Sequence, residues 1–228
     1  PLEKDLAYRA HALLQEKVGR PLYIKATLEK YIPTGAGLGG GSSNAAAMLV
    51  GLNQLFDLKL PAATLSQWSA SLGSDIPFLV GALMGCPSAV VSGLGEVHEP
   101  SPRSEPLHLA LIFPPLACPT GPVYQAFDKL CASAGRTADI ARVKALASAV
   151  RVLPSDPFND LAQPACAVQP ELAQLIKTCE GLIRQPVHVT GSGAALFAIA
   201  KDEDHARQIA ITMTRDANLP CVATQTRV

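Results

Sequence analysis

The chain has no surplus of charge of either sign. Its 228 residues carry 19 Lys and Arg against 19 Asp and Glu, so neither a like-charged tail nor a broad cationic face for nucleic acid is expected. It has no close cysteine pair. The six cysteines, at 86, 118, 131, 166, 179 and 221, form no CxxC, which removes the usual zinc or redox dithiol motifs. They are too few in a chain of this size for a disulfide scaffold, and free thiols in a reducing compartment are expected. The five histidines, at 11, 98, 108, 188 and 205, form no HExxH, so no transition-metal site is expected. One run, IPFLVGALMGCPSAVVSGLG over 76–95, has no charge for twenty positions. Proline and glycine break it repeatedly, so it reads as two short buried strands, near 78–80 and 88–92, rather than a membrane span. The chain also lacks an initiating Met, and sequence upstream of Pro1 is expected.

What is present is ample apolar material: 48% of residues are hydrophobic and 17% charged, enough for a real core. Leu6, Ala10, Leu13 and Leu14 share one face of a helix over 5–17, which Gly19, Arg20 and Pro21 end. LYIKATLEK (22–30) alternates apolar and polar, the pattern of a half-buried strand. Helices are expected from Ser42 and over 63–73. The polar, proline-rich stretch 99–106 reads as a connector. LHLALIF (107–113) is a strand, and Thr120 is placed to cap a helix starting near Pro122. Helical patterns fill most of 137–150 and 156–181. The end reads VHVT, a GSG turn, ALFAIA, a helix over 202–215 and the strand CVATQTRV. That order suits a split βαβ, ferredoxin-like sheet with helices on one face.

The segment GAGLGGGSSNAAA (35–47) places five glycines in seven positions and then turns helical. Each ordered glycine costs roughly 0.5–1 kcal/mol relative to alanine, so the stretch is expected to do something that side chains would obstruct. Backbone N–H groups free of Cβ approach an anion closely, and the N-terminus of the following helix adds its own unpaired N–H groups and dipole. Ser42 and Ser43 add hydroxyls for phosphate or Mg²⁺. A plain linker rarely lies between a strand and a well-patterned helix. The GxGxxG of a dinucleotide fold is matched, but the strand before it is not a buried parallel one, and Pro33 intervenes. The GxxxxGK[ST] P-loop is absent, since no lysine precedes either serine.

PTGAGLGGGSSNAAA closely resembles the ATP-binding motif of the GHMP kinases. GSDIPFLV (73–80) resembles the catalytic-aspartate segment of one branch of that superfamily, GLGE (93–96) its GxGE turn and PFND (157–160) its FND segment. VTGSGAALFAI (189–199) resembles the superfamily's glycine-containing third motif. The branch is the one that phosphorylates the 2-hydroxyl of 4-diphosphocytidyl-2-C-methyl-D-erythritol, with ATP and Mg²⁺, in the non-mevalonate route to isoprenoid precursors.

The resemblance implies an α+β, two-lobed GHMP kinase fold. Residues 1–104 would form an incomplete, ribosomal-S5-like ATP lobe and 105–228 a ferredoxin-like C-terminal lobe, with the site in a cleft between them. It gives Asp75 the role of catalytic base on the acceptor hydroxyl. Pro33, Thr34, Gly35, Ala36, Gly37, Leu38, Gly39, Gly40, Gly41, Ser42, Ser43 and Asn44 become the ATP loop. Gly191, Ser192 and Gly193 become a turn beside it, and Tyr124 an aromatic that stacks on cytosine. The family's N-terminal lysine and DGYH-like stretch do not occur in these 228 residues; the expectation is that the chain begins after them and is at best a weak kinase. Two alternatives stand beside this reading: a non-catalytic nucleotide-binding relative, and a kinase for another acceptor such as mevalonate, homoserine or a sugar. The expected partner is a small molecule, with no nucleic acid or membrane. A monomer or homodimer in the cytoplasm is expected, with a plastid setting left open.

Overall fold

The computed structural model describes residues 2–101, 103, 105–134 and 139–228. It divides into two compact units. One comprises Pro1–Tyr31, Gly39–Arg103 and Val228; the other comprises Ile32–Leu38 and Ser104–Arg227.

The first unit is mainly helical. Helix α1 (Leu6–Val18) starts at Asp5, whose carboxylate accepts from Ala7 N at 2.9 Å, and ends at Gly19 in the left-handed region with φ +69°. Helices α2 (Gly40–Leu55), α3 (Ala62–Ser69) and α4 (Ile76–Leu83) complete the bundle. α2 packs on α1 and α4, and α3 packs on α4. Their core joins Ala10, Leu14, Leu22, Leu49, Leu65, Ile76 and Val80. The run of small residues Ala45 and Ala46, both fully buried, lets the first turns of α2 sit close to their neighbours. A two-stranded antiparallel hairpin, β1 (Ala89–Ser92) with β2 (Val97–Pro100), closes the unit.

Two sequence expectations change here. Residues 22–30 form no ladder among the described residues. Alternation sets which side chains face inward, and Leu22 is indeed fully buried. A strand also needs backbone partners, and those of Leu22 are side chains: its N–H donates to Gln15 Oε1 at 2.8 Å, and its carbonyl accepts from His11 Nε2 at 2.7 Å. The strand expected near 78–80 is the middle of α4. A short apolar run has no period that separates strand from helix. Pro77 at the first helical turn favours helix, since its missing N–H is not needed there. The strand expected near 88–92 corresponds to β1, but it is not buried, since its only partner among the described residues is β2 and Val91 and Ser92 are exposed; β2 takes the first two residues of the expected connector.

The second unit holds a four-stranded antiparallel sheet. Strand β3 (His108–Ile112) leads into helices α5 (Thr120–Ala134), α6 (Ile140–Ser148), α7 (Ala162–Val168) and α8 (Pro170–Ile183). β4 (His188–Val189), β5 (Leu196–Ala200), α9 (Glu203–Asp216) and β6 (Cys221–Gln225) follow. The order β4-β5-β3-β6 puts β3 at the centre, with Ala110 opposite Ala198 on one side and Ala223 on the other. This is the split βαβ arrangement that the element order suggested. α9 packs on β3, β5 and β6. The helical pattern expected over most of 156–181 is α7 and α8, which part where Gln169 leaves helical geometry (φ −129°, ψ 85°) just before Pro170. Residues 137 and 138, at the start of the helix expected over 137–150, lie outside the described residues.

Among the described residues no helix is long and apolar enough to cross a membrane.

Candidate active site

The glycine loop divides between the units: residues 32–38 belong with the sheet unit, and Gly39 onward belongs with the helical one. In the sheet unit the loop is laid against the GSG turn. Ala194 N donates to Gly35 O at 3.1 Å, and Ala195 N donates to Ala36 O at 3.1 Å. Thr190 Oγ1 donates to the same Ala36 carbonyl at 2.9 Å. The approach is so close that a β-carbon on Gly37 would stand 2.1 Å from Thr190 O, and Gly37 has φ +71°. Glycine is required there on both counts. Below the turn, Cys118 is fully buried, with its Sγ 3.4 Å from where a Gly193 β-carbon would be. Burial, with nearby Cys166, pushes its thiol above the usual range. Ser192, itself buried, shares a hydrogen bond of 3.2 Å with Thr120 Oγ1 at the start of α5. Tyr124, one turn along α5, is half exposed.

In the helical unit Gly39 is the N-cap of α2, in the left-handed region and without a side-chain capping bond. Its carbonyl accepts from Ser43 N at 2.8 Å. The N–H groups before Ser43 therefore have no intrahelical acceptor, and the positive end of the helix dipole lies with them. Ser42, Ser43 and Asn44 are partly exposed in this first turn.

Asp75 precedes α4, which packs on α2. Its backbone is in the right-handed helical region (φ −81°, ψ −21°), and its carboxylate makes no capping bond. An aspartate at this position usually caps from extended backbone. Here the carboxylate is left exposed and uncommitted to the helix. The GLGE turn braces the residue before it: Gly95, at φ +100°, lies so close that a β-carbon would fall 1.8 Å from Ser74 O. His98 donates through Nε2 to Gly95 O at 2.7 Å and meets the Phe78 ring edge-on, tying the turn to α4.

A cavity of about 640 Å³ in the helical unit runs between residues 23–28 and α2, lined among others by Tyr23, Ile24, Met48 and Leu55. Of the residues singled out from the sequence, Asn44 alone is on its wall.

Asn159 and Thr190 received no role from the sequence, yet they make most of the side-chain hydrogen bonds at the GSG turn. The available signals were the resemblances of PFND, which holds Asn159, and of VTGSGAALFAI, which holds Thr190, to family segments.

Within the helical unit, the free N–H groups at the start of α2 and the hydroxyls of Ser42 and Ser43 are chemistry that suits an anion. The GHMP kinases N terminal domain model matches residues 5–93, and the GHMP kinases C terminal model matches residues 153–216. A 4-diphosphocytidyl-2-C-methyl-D-erythritol kinase from Moorella thermoacetica is 37% identical over 215 residues, 91% of this chain and 72% of that protein. The enzyme of the same name from Thermus thermophilus is 36% identical over 211 residues, 91% of this chain and 71% of that protein. A crystal structure of 4-(cytidine 5'-diphospho)-2C-methyl-D-erythritol kinase superposes with a TM-score of 0.79 at 34% identity, covering 99% of this chain and 80% of that one. A homoserine kinase from Cytophaga hutchinsonii shares the fold, with a TM-score of 0.71 at 18% identity over 100% of this chain and 77% of that one. The chain thus belongs to the GHMP kinases, small-molecule phosphotransferases that use ATP.

Proposed function

We propose that this chain takes part in ATP-dependent phosphorylation of the 2-hydroxyl of 4-diphosphocytidyl-2-C-methyl-D-erythritol. The observation that carries the acceptor is the 32–37% identity, over nine-tenths or more of the chain, to enzymes of that name. The structural likeness to homoserine and mevalonate kinases, at 9–18% identity, supports the fold alone.

In this reading the unpaired N–H groups of α2 and the hydroxyls of Ser42 and Ser43 hold the ATP phosphates, and Asn44 steadies the first turn. Pro33 to Leu38 form the glycine cradle, with Gly191, Ser192 and Gly193 behind it. Asp75 accepts a hydrogen bond from the acceptor hydroxyl, orients it and takes its proton as the phosphoryl group transfers. Positioning and charge stabilisation do most of the work in such a reaction, so an exposed carboxylate free of other bonds suits the role. Tyr124 offers its ring to the cytosine in this reading, which its half-exposed position on α5 supports. Residues 1–104 serve as the ATP lobe and 105–228 as the C-terminal lobe.

Mg²⁺ is part of the proposal. It is usually bound through substrate phosphates plus one or two protein oxygens, and the Ser42 and Ser43 hydroxyls supply such oxygens. When bound, it neutralises charge on the transferring phosphate. Among the described residues no three His, Cys, Asp or Glu are grouped to hold a metal by themselves. All six cysteines are free, which fits a reducing, cytoplasmic setting.

The test is ADP release from ATP in the presence of 4-diphosphocytidyl-2-C-methyl-D-erythritol, homoserine or mevalonate. Turnover with the first alone is expected. ATP binding with no turnover on it, or a preference for another acceptor, would overturn the assignment.

A further inference from the structure

Asn159 lies in the loop before α7, far in sequence from the glycine loop. Its amide has two donor hydrogens and one acceptor oxygen, and the structure uses all three groups. Nδ2 donates to Val189 O at 2.9 Å and to Gly191 O at 2.7 Å, while Oδ1 accepts from Leu161 N at 2.9 Å. The two carbonyls flank Thr190. Thr190 in turn donates its hydroxyl to Ala36 O, and its own carbonyl is the atom that excludes a side chain from Gly37. One backbone turn is therefore gripped from one side by Asn159 and from the other by residues 35–37 of the glycine loop. All of these residues belong to the same compact unit.

We propose that Asn159 is a positioning residue for the phosphate loop. By fixing the carbonyls on either side of Thr190, it sets where the Thr190 hydroxyl and carbonyl stand, and through them the path of Gly35 to Gly37. The proposal rests on the reading of that loop as the ATP cradle. No other side chain of similar size does this work. Aspartate keeps the bond from Leu161 N but donates nothing to the carbonyls, and leucine neither donates nor accepts. Glutamine places its amide one methylene farther out.

A structural alternative exists: Asn159 could serve only to start α7 through Leu161 N. Asn159→Asp separates the two roles, since it keeps that acceptor and loses both donors. Thr190→Val removes the next link, and Thr190→Ser keeps its hydroxyl. Gln185→Ala is the control for ordinary loss of a tertiary hydrogen bond. Gln185 Nε2 donates to Ile199 O at 3.0 Å, on β5 and away from the turn.

The experiment measures KM for ATP, KM for the acceptor, ATP affinity by calorimetry and the urea midpoint. Asn159→Asp is expected to raise KM and Kd for ATP roughly fivefold or more, the worth of about one hydrogen bond, with KM for the acceptor nearly unchanged. Thr190→Val is expected to move in the same direction, and Thr190→Ser to behave as wild type. Gln185→Ala should lower the urea midpoint and leave ATP affinity alone. Unchanged ATP affinity in folded Asn159→Asp and Thr190→Val, or an equal loss in Gln185→Ala, would overturn the proposal. The reading it rests on fails in a different way: the wild-type chain would bind no ATP at all.

Discussion

The carbonyl oxygen of Ser74 stands 1.8 Å from the point a β-carbon on Gly95 would occupy. The turn after β1 and the residue before Asp75 are thus in backbone contact. Gly95→Ala cannot keep both that contact and its φ of +100°. The substitution is expected to cost about 1–3 kcal/mol of stability, the range for strained backbone. Because the displaced residue precedes Asp75, kcat should fall more than KM for ATP. Urea unfolding and ADP release on the same preparation check both.

Gly37→Ala meets Thr190 O in the same way, at 2.1 Å. Here the displaced segment is the phosphate loop, so the expected signature is the opposite one: weaker ATP affinity, with the acceptor KM little changed. Calorimetric titration with ATP measures it.

Much of the candidate site was legible because its pieces are contiguous. GLGGGSSNAAA and GSG announce a helix start and a turn by composition, and GSD and GLGE stood out through their resemblance to family segments. What joins them was not legible. Asn159 and Gly191 are 32 positions apart, and nothing in PFND says which carbonyls its amide will meet. Ser74 against Gly95 is a contact between two unremarkable turn residues. The fold followed the same division. The order strand, helices, strand, strand, helix, strand identified the sheet correctly, since connection rules leave few ways to assemble it. The strand near 78–80 failed because a short apolar run has no diagnostic period. The one over 22–30 has no ladder among the described residues, and at its first residue Gln15 and His11 take up the backbone groups of Leu22.

Lys30 Nζ lies 2.7 Å from Asp5 Oδ2 and is the main reason the Asp5 carboxyl sits below its ordinary value of 3.8. The same aspartate caps α1. A depressed folded-state pKa contributes stability above the unfolded value, and that stability is lost as pH falls through the folded one. The Lys30 side chain is 53% exposed, so screening keeps the pair worth at most about 1 kcal/mol. Lys30→Ala should lower stability by up to that amount at neutral pH. The difference from wild type should shrink below the ordinary carboxylate range. Urea midpoints across pH 2–7 test this, within roughly the limits set by the pair.

Burial raises the thiols of Cys118, Cys166 and Cys179, and that of Cys221 is pushed up to about 12. Little thiolate exists at these positions at neutral pH. A thiol reagent at pH 8 is expected to leave the buried Cys118 and Cys179 unmodified in the folded chain, to label the partly exposed Cys166 and Cys221 slowly, and to label all six cysteines in denaturant. Mass spectrometry of the labelled peptides identifies which react. Fast labelling of Cys221 in the folded chain would contradict the packing of α9 against β6.

The most direct test of the account is Asp75→Asn. The substitution preserves shape and removes the charge and the proton acceptor. ADP release that depends on 4-diphosphocytidyl-2-C-methyl-D-erythritol should fall by about 100-fold or more, the scale of general-base and positioning effects, while ATP affinity and the urea midpoint stay near wild type. Acceptor-dependent turnover within a few-fold of wild type would contradict the role assigned to Asp75 and, with it, the chemistry proposed for the site.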